Sequence, residues 1–160
     1  MQTEPTKEHL WLQQLVGSWT YEGTCSMGPG QPPGKTKGRE TVRSLGGLWV
    51  VVDGRVELPD GGSFEMVVQI GYDSAAGRYK GTWIGSPMPM LWLYEGDVDP
   101  TGRILTLEAR GPSMIGDGST ANYEDINEII GPDHRRFRSR MQMLNGSWNE
   151  FMRADYRRVT

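Results

Sequence analysis

The sequence predicts an all-β fold: a closed up-and-down antiparallel β-barrel of about ten strands, with a short N-terminal helix covering one end. Three observations carry that prediction. After Gly17 the apolar residues change from a helical spacing to alternation. Turn signals then recur roughly every 8–12 residues, the rhythm of a sandwich or barrel. The 22 glycines and 10 prolines are many for a helical chain, and they lie between the β-rich runs as turn punctuation rather than as a disordered stretch.

Taken in order, Pro5 opens the helix, Trp11, Leu12, Leu15 and Val16 share one side of it, and Gly17 ends it. In LVGSWTYEG the glycine lets the backbone turn in and Trp19 plugs the closed end of the barrel; Tyr21 and Gly23 then face inward with it. The stretch from Ser26 to Lys37, SMGPGQPPGKTK, is a long connection whose prolines suggest an extended flap; it lacks the pattern of a phosphate loop. LWVVV and MLWLY are apolar on both faces, so their inward sets stay unassigned. In SFEMVVQIGY, Phe64, Met66, Val68, Ile70 and Tyr72 share a face; in RILTLEA, Leu105, Leu107 and Ala109 oppose Thr106 and Glu108. TANYEDINEII sets Tyr123, Asp125 and Asn127 against Asn122, Glu124, Ile126 and Glu128, and the first set is taken as inward. In FRSRMQM, Phe137, Met141 and Met143 oppose Arg138, Arg140 and Gln142. In WNEFMRADYRR, an inward Trp148 brings Glu150, Met152, Ala154 and Tyr156 inward.

The tight turns are Pro59-Asp60-Gly61-Gly62, Asp73 to Gly77, Asp99-Pro100-Thr101-Gly102, Gly131-Pro132-Asp133 and Asn145-Gly146. Strands running alternately up and down place 27–36, 59–62, 86–89, 111–118 and 144–146 at one rim. The connections at 45–47, 73–77, 99–102 and 131–133 fall at the other, beside the helix. The irregular connections therefore crowd one end, which is read as an open mouth, with Met27, Met88, Met90 and Met114 at or near it.

A chain of 160 residues suits one domain spanning residues 1–160. A charged fraction of 23% and a net charge of -3 give no electrostatic case for nucleic acid or an anionic membrane as partner. The start has no basic segment followed by an apolar core, and no run approaches the ~20 apolar residues that span a bilayer, so a cytoplasmic location is expected. Cys25 is the only cysteine, which excludes an internal disulfide, Cys-based zinc cages and CxxC redox chemistry, and leaves it as a small buried hydrophobe.

LVGSW followed by alternating strands resembles the Gly-x-Trp start of the calycin superfamily, which includes lipocalins, fatty-acid-binding proteins and nitrobindins. LVGSWTYEG, GGLWVVVDG, IGYDSAAGRYKGTWIGS, LWLYEG, YEDINEI and WNEFMRADYRR together resemble the bacterial domain-of-unknown-function family numbered 1579, over roughly His9 to Arg158. The resemblance implies a lipocalin-like barrel and brings no established activity or catalytic residue. Nitrobindins bind haem through a histidine. Here His9 is on the helix, His134 is beside a turn, and WNEFMRADYRR has none, so no haem, other cofactor or metal is expected.

Three function classes remain. The first is a binding protein for a small apolar or amphipathic molecule, held among Trp19, Tyr21, Trp83, Met90, Trp92, Tyr123 and Met141. The second is a cofactor-free enzyme for proton transfer, isomerisation or hydrolysis. Glu150 or Asp125 would be its general base, since a carboxylate in a dry cavity has a raised pKa, and a tyrosine such as Tyr123 would donate to the developing oxyanion. A structural network satisfying the same carboxylates is the alternative use of those residues. The third is a barrel filled by its own side chains that serves as an interaction module. The Trp83 to Trp92 stretch at the mouth suits either a ligand portal or a homodimer contact. The arginines of His134 to Arg140 are read as the outer face of one strand, paired with Glu124, Glu128 and Asp155 rather than with RNA.

Overall fold

The structure, a computed structural model, describes residues 3–159. One helix, α1 (Lys7–Gln13), precedes ten strands: β1 (Gly17–Cys25), β2 (Gly34–Leu45), β3 (Trp49–Glu57), β4 (Ser63–Asp73), β5 (Arg78–Gly85), β6 (Trp92–Val98), β7 (Ile104–Pro112), β8 (Thr120–Gly131), β9 (His134–Gln142) and β10 (Trp148–Arg158). Each strand pairs antiparallel with its neighbours in sequence, and β1 pairs with β10, so the sheet closes. Closure leaves no unpaired edge for another chain to extend. It also sends alternate side chains into an enclosed interior, which is where the buried residues of β1 to β10 collect.

The turn chemistry follows from residue type. The Asp73 carboxylate accepts from the amides of Ala75 and Ala76 at 3.0 Å each, and Asp99 accepts from the Thr101 hydroxyl at 2.8 Å and the amides of Arg103 and Ile104. These short turns close the lower rim. The connections at 26–33, 58–62, 86–91, 113–119 and 143–147 form the upper rim, as the alternation of strand direction requires.

The floor is built by α1 and the segment after it. Leu12 and Leu15 are buried, each worth about 1.5–3 kcal/mol of apolar burial. The backbone amide of Thr6 donates to His9 Nδ1 at 2.9 Å, so Nε2 carries the ring proton and donates to the Tyr72 carbonyl at 3.1 Å. His9 thereby stitches the helix to β4. The Trp11 indole donates to Gly102 O (2.7 Å) and the Tyr79 hydroxyl to Glu8 O (3.0 Å). The helix is shorter than the spacing from Pro5 to Gly17 suggests. Leu15 and Val16 instead make tight i→i−3 bonds to Leu12 and Gln13. Gly17 has φ 140°, a backbone angle that only glycine adopts readily, and it turns the chain up into β1. Trp19 then lies 2% exposed across the floor and donates to the Leu15 carbonyl at 2.8 Å. Arg158, at the end of β10, covers it from below: its guanidinium sits 4.3 Å from the Trp19 ring and donates to the carbonyls of Gln14 and Val16 left over by the helix end.

One strand departs from simple alternation. Glu150 pairs with Arg140 and Met152 with Ser139, so Phe151 is an extra residue, a β-bulge. Met152, Ala154 and Tyr156 face inward as the alternation predicts, but above the bulge the parity reverses. Trp148 and Glu150 therefore lie outside, Trp148 beneath the Arg140 guanidinium (4.6 Å) and Glu150 beside Arg153 (3.3 Å) and Arg138 (3.8 Å). Along the same outer face Arg140 meets Glu124 (2.8 Å), and Arg136 meets Asp155 (3.3 Å) and Glu128 (3.9 Å). Such exposed pairs each contribute about 0–1 kcal/mol.

A hollow barrel with two polar clusters

The barrel interior is not filled by its own side chains. A cavity of about 480 Å³ runs from Glu40 and Arg135 near the floor to Met88, Pro112 and Met114 of the upper rim. Its walls are mainly apolar, with Val52, Val56, Phe64, Met66, Val68 and Leu107 among them. That size and lining fall in the range of small-molecule sites.

Three close approaches shape the upper and middle walls. A Cβ on Gly38 would lie 2.4 Å from the Tyr21 hydroxyl, and one on Gly111 would lie 2.3 Å from the Trp92 ring. Glycine at these positions lets the rings lie flat against the sheet instead of filling the lumen. Trp83 lies over Gly85 in the same manner. Tyr123 packs edge-on to Trp92 and Phe151, and its hydroxyl donates to the Pro112 carbonyl at 2.5 Å, tying the wall to the rim.

Near the floor, β2, β9 and β10 bring together Glu40, Arg135 and Tyr156. Arg135 Nη2 donates to Glu40 Oε2 at 2.6 Å, the Tyr156 hydroxyl donates to Glu40 Oε1 at 3.1 Å, and Arg135 Nη1 reaches Asn127 Oδ1 at 3.4 Å. The guanidinium lies between the faces of Trp19 and Tyr156, 4.8 and 4.1 Å from the ring centres, and its Nε has no hydrogen-bond partner. Burial, and after it the Glu40 charge, drives the Tyr156 hydroxyl well above its usual pKa, so it stays a donor.

Halfway up, β6, β8 and β9 converge on Asp125. The Tyr94 hydroxyl donates to its Oδ2 and the Ser139 hydroxyl to its Oδ1. Asp125 lies opposite Ser139 in the β8–β9 register, so the pairing of strands sets this contact. Protein surrounds Asp125, and what accessibility it keeps is toward the cavity. Burial raises its pKa, and the two hydroxyl donors partly counter that rise. Tyr94 is pushed well above the usual phenol value, first by burial and then by the Asp125 charge.

The sequence-derived candidates divide accordingly. Tyr21, Trp83, Trp92, Tyr123 and Asp125 line the cavity. Four do not. Glu150 is turned outside by the bulge. Trp19 lies beneath the cavity, under Arg135. Met141 is fully buried behind the wall, where its sulfur meets the Met114 amide at 3.4 Å. Met90 is half-buried at the rim, and it is Met88 that reaches the lumen. Alternation alone could have found Arg135 and Glu40. Arg135 has the parity of Phe137 and Ser139, not that of the outer Arg136, Arg138 and Arg140, and Glu40 has the parity of Val42. Tyr94 lies in a run apolar on both faces, and no such signal marks it; only the structure shows Leu91 and Leu93 exposed and Trp92 and Tyr94 inward.

Among the described residues no three His, Cys, Asp or Glu side chains converge as a metal site, and no helix is long and apolar enough to cross a membrane. Compared with known proteins, the chain matches the family model described as "Protein of unknown function (DUF1579)" over residues 4–158. No curated protein matches it. Among solved structures it resembles the crystal structure of Rv2717c from M. tuberculosis, with TM-score 0.71 and 15% identity over 98% of this chain and 100% of the other. It also resembles EF1p2_mFAP2b bound to DFHBI, with TM-score 0.52 and 9% identity over 94% and 98% of the two chains. At these identities the likeness is one of fold.

Proposed function

The chain belongs to the DUF1579 family, which brings no activity with it, and from the cavity itself we propose that the protein binds a small apolar or amphipathic molecule inside the barrel. The observation that carries the reading is the hollow interior: about 480 Å³ with an apolar wall, a floor sealed by Trp19 and α1, and an upper end reached by rim loops. A chain selected only for stability gains by filling such a space, because each lost apolar contact costs free energy. The resemblance to a barrel bound to the small molecule DFHBI supports the same reading. Trp83 and Trp92 line the cavity and report on it. Titration of intrinsic fluorescence with neutral apolar probes, Nile red and decan-1-ol, is expected to give saturable quenching and a rise in Tm. No quenching and no thermal shift would refute the reading.

A second reading rests on Asp125, a carboxylate with a raised pKa in an apolar lumen, suited to taking a proton from a bound carbonyl compound. Tyr94 is the tyrosine beside it; the Tyr123 hydroxyl is engaged by Pro112. Enzyme-dependent exchange of α-protons for deuterium in a bound ketone, followed by NMR and lost in Asp125→Asn, tests it. Exchange at the buffer rate would dismiss it.

A further inference from the structure

The direction of each hydrogen bond inside the lumen restricts the ligand's head group. Tyr94 and Ser139 each have one hydroxyl hydrogen, and both are given to Asp125. Toward the cavity this cluster therefore offers lone pairs: those left on the Asp125 carboxylate and on the two hydroxyl oxygens. With Asp125 ionised, it can receive a hydrogen bond from a guest and has none to give. Two residues further along β8, Asn127 is oriented by Arg135. A guanidinium only donates, so the Asn127 side-chain oxygen is the atom facing it, and the amide nitrogen turns the other way. Among the described residues no protein acceptor lies against that nitrogen, which leaves two N–H donors on a residue that lines the cavity. Asp125 and Asn127 share a face and lie about 7 Å apart along the strand.

The charge count points the same way. The cavity wall carries Glu40, Arg135 and Asp125 as its charged types. Glu40 and Arg135 are paired at 2.6 Å, so among the described residues the lumen holds no uncompensated cation to receive an anionic guest. A carboxylate would meet acceptors at Asp125, and a like charge once that residue is ionised, and burying it without a partner is costly.

The geometry points to a ligand whose head group is uncharged and both gives and receives a hydrogen bond, a hydroxyl or a primary amide, seated between Asp125 and Asn127 with its apolar body among the aromatic residues above. This inference rests on the ligand-binding reading and narrows it. An interior site that selects an alcohol over a carboxylate of equal chain length does so by leaving the wrong head group unpaired, the strongest form of discrimination available to a small pocket.

The test uses the intact protein and three probes of one chain length: decan-1-ol, its methyl ether and decanoate, titrated by tryptophan fluorescence and calorimetry at neutral pH. The alcohol is expected to bind at least ~10-fold tighter than decanoate and several-fold tighter than the ether, the latter being the difference that one ordinary hydrogen bond makes. Asp125→Asn is expected to narrow the gap between alcohol and decanoate, because it removes the like charge. The wild-type series stands without that variant if it folds poorly. Decanoate binding as tightly as the alcohol, or the ether matching the alcohol, overturns the inference while leaving ligand binding in place. Failure of all three probes to bind overturns the ligand-binding reading and this inference with it.

Discussion

Replacing Glu40 with leucine withdraws the only carboxylate that Arg135 touches among the described residues. Arg135 is 4% exposed, and its contacts are Glu40 at 2.6 Å, a long bond to Asn127 at 3.4 Å and the faces of Trp19 and Tyr156; its Nε is already without a partner. Cation–π contacts in a desolvated site contribute about 2 kcal/mol and remain in the variant. What is lost is the charge pair, and breaking a buried pair by removing one partner costs about 3–5 kcal/mol. The Tyr156 hydroxyl loses its acceptor as well. For a chain of this length each kcal/mol moves Tm by about 2–4 °C, so Glu40→Leu is expected to lower Tm by roughly 6–20 °C. The double variant Glu40→Leu with Arg135→Met removes both charges and is expected to recover most of that loss, since an apolar replacement of a whole buried pair is often neutral. Urea unfolding of wild type, both single variants and the double variant gives the coupling directly. A cost below about 1 kcal/mol for Glu40→Leu, or a double variant equal to the sum of the singles, would refute the reasoning.

Asp125 gives a pH dependence of definite sign. Its carboxyl titrates above the usual carboxylate range because of burial, with Ser139 and Tyr94 opposing, so the folded state holds this proton more tightly than the unfolded chain. Its stabilising contribution is full below the unfolded value of about 3.9 and is lost as pH rises through the raised folded value. The stability of wild type minus that of Asp125→Asn should therefore fall as pH rises from about 4 in urea titrations; a flat difference would contradict the burial argument. Glu150→Gln should change stability by less than about 1 kcal/mol and leave probe binding unaltered, because Glu150 is an outer-face partner of Arg153 and Arg138. Weakened binding in that variant would place the site elsewhere. Trp83→Phe and Trp92→Phe should each remove part of the ligand-induced quenching, whereas Trp19→Phe should lower Tm and leave the quenching. Quenching that vanished only with Trp19 would move the guest beneath Arg135. Leu12→Ala should cost about 2–5 kcal/mol by thermal melting, given that Leu12 is fully buried in the floor.

Most of the barrel was legible because its signals are local. Asp and Gly at 73–77 and 99–102 fix turns through their own backbone bonds, and Phe64 to Tyr72 alternate without interruption. The segregation of loops between rims follows from strand direction alone. The candidate site was only half legible, since inwardness passes along a strand only while the register holds. One inserted residue, Phe151, reversed the side on which Glu150 falls, and nothing in WNEFMRADYRR marks a bulge. Arg135 was hidden by composition: placed in a run of arginines it resembles its outer neighbours, although parity sets it with Phe137. The partners of Asp125 come from β6 and β9, and their meeting depends on how strands tilt across a closed lumen, which no single-strand pattern encodes.

Ligand binding by this barrel requires that the lumen be hollow and that the guest reside in it. Ala109 lines it, and Ala109→Trp would place an indole in the space rather than in packed core. Calorimetric titration of decan-1-ol into wild type and into Ala109→Trp, with Tm measured for both, tests this most directly. One molecule is expected to bind per wild-type chain, with binding lost in a variant whose Tm is equal or higher. Undiminished binding to the variant would put the molecule on the outer surface and contradict it.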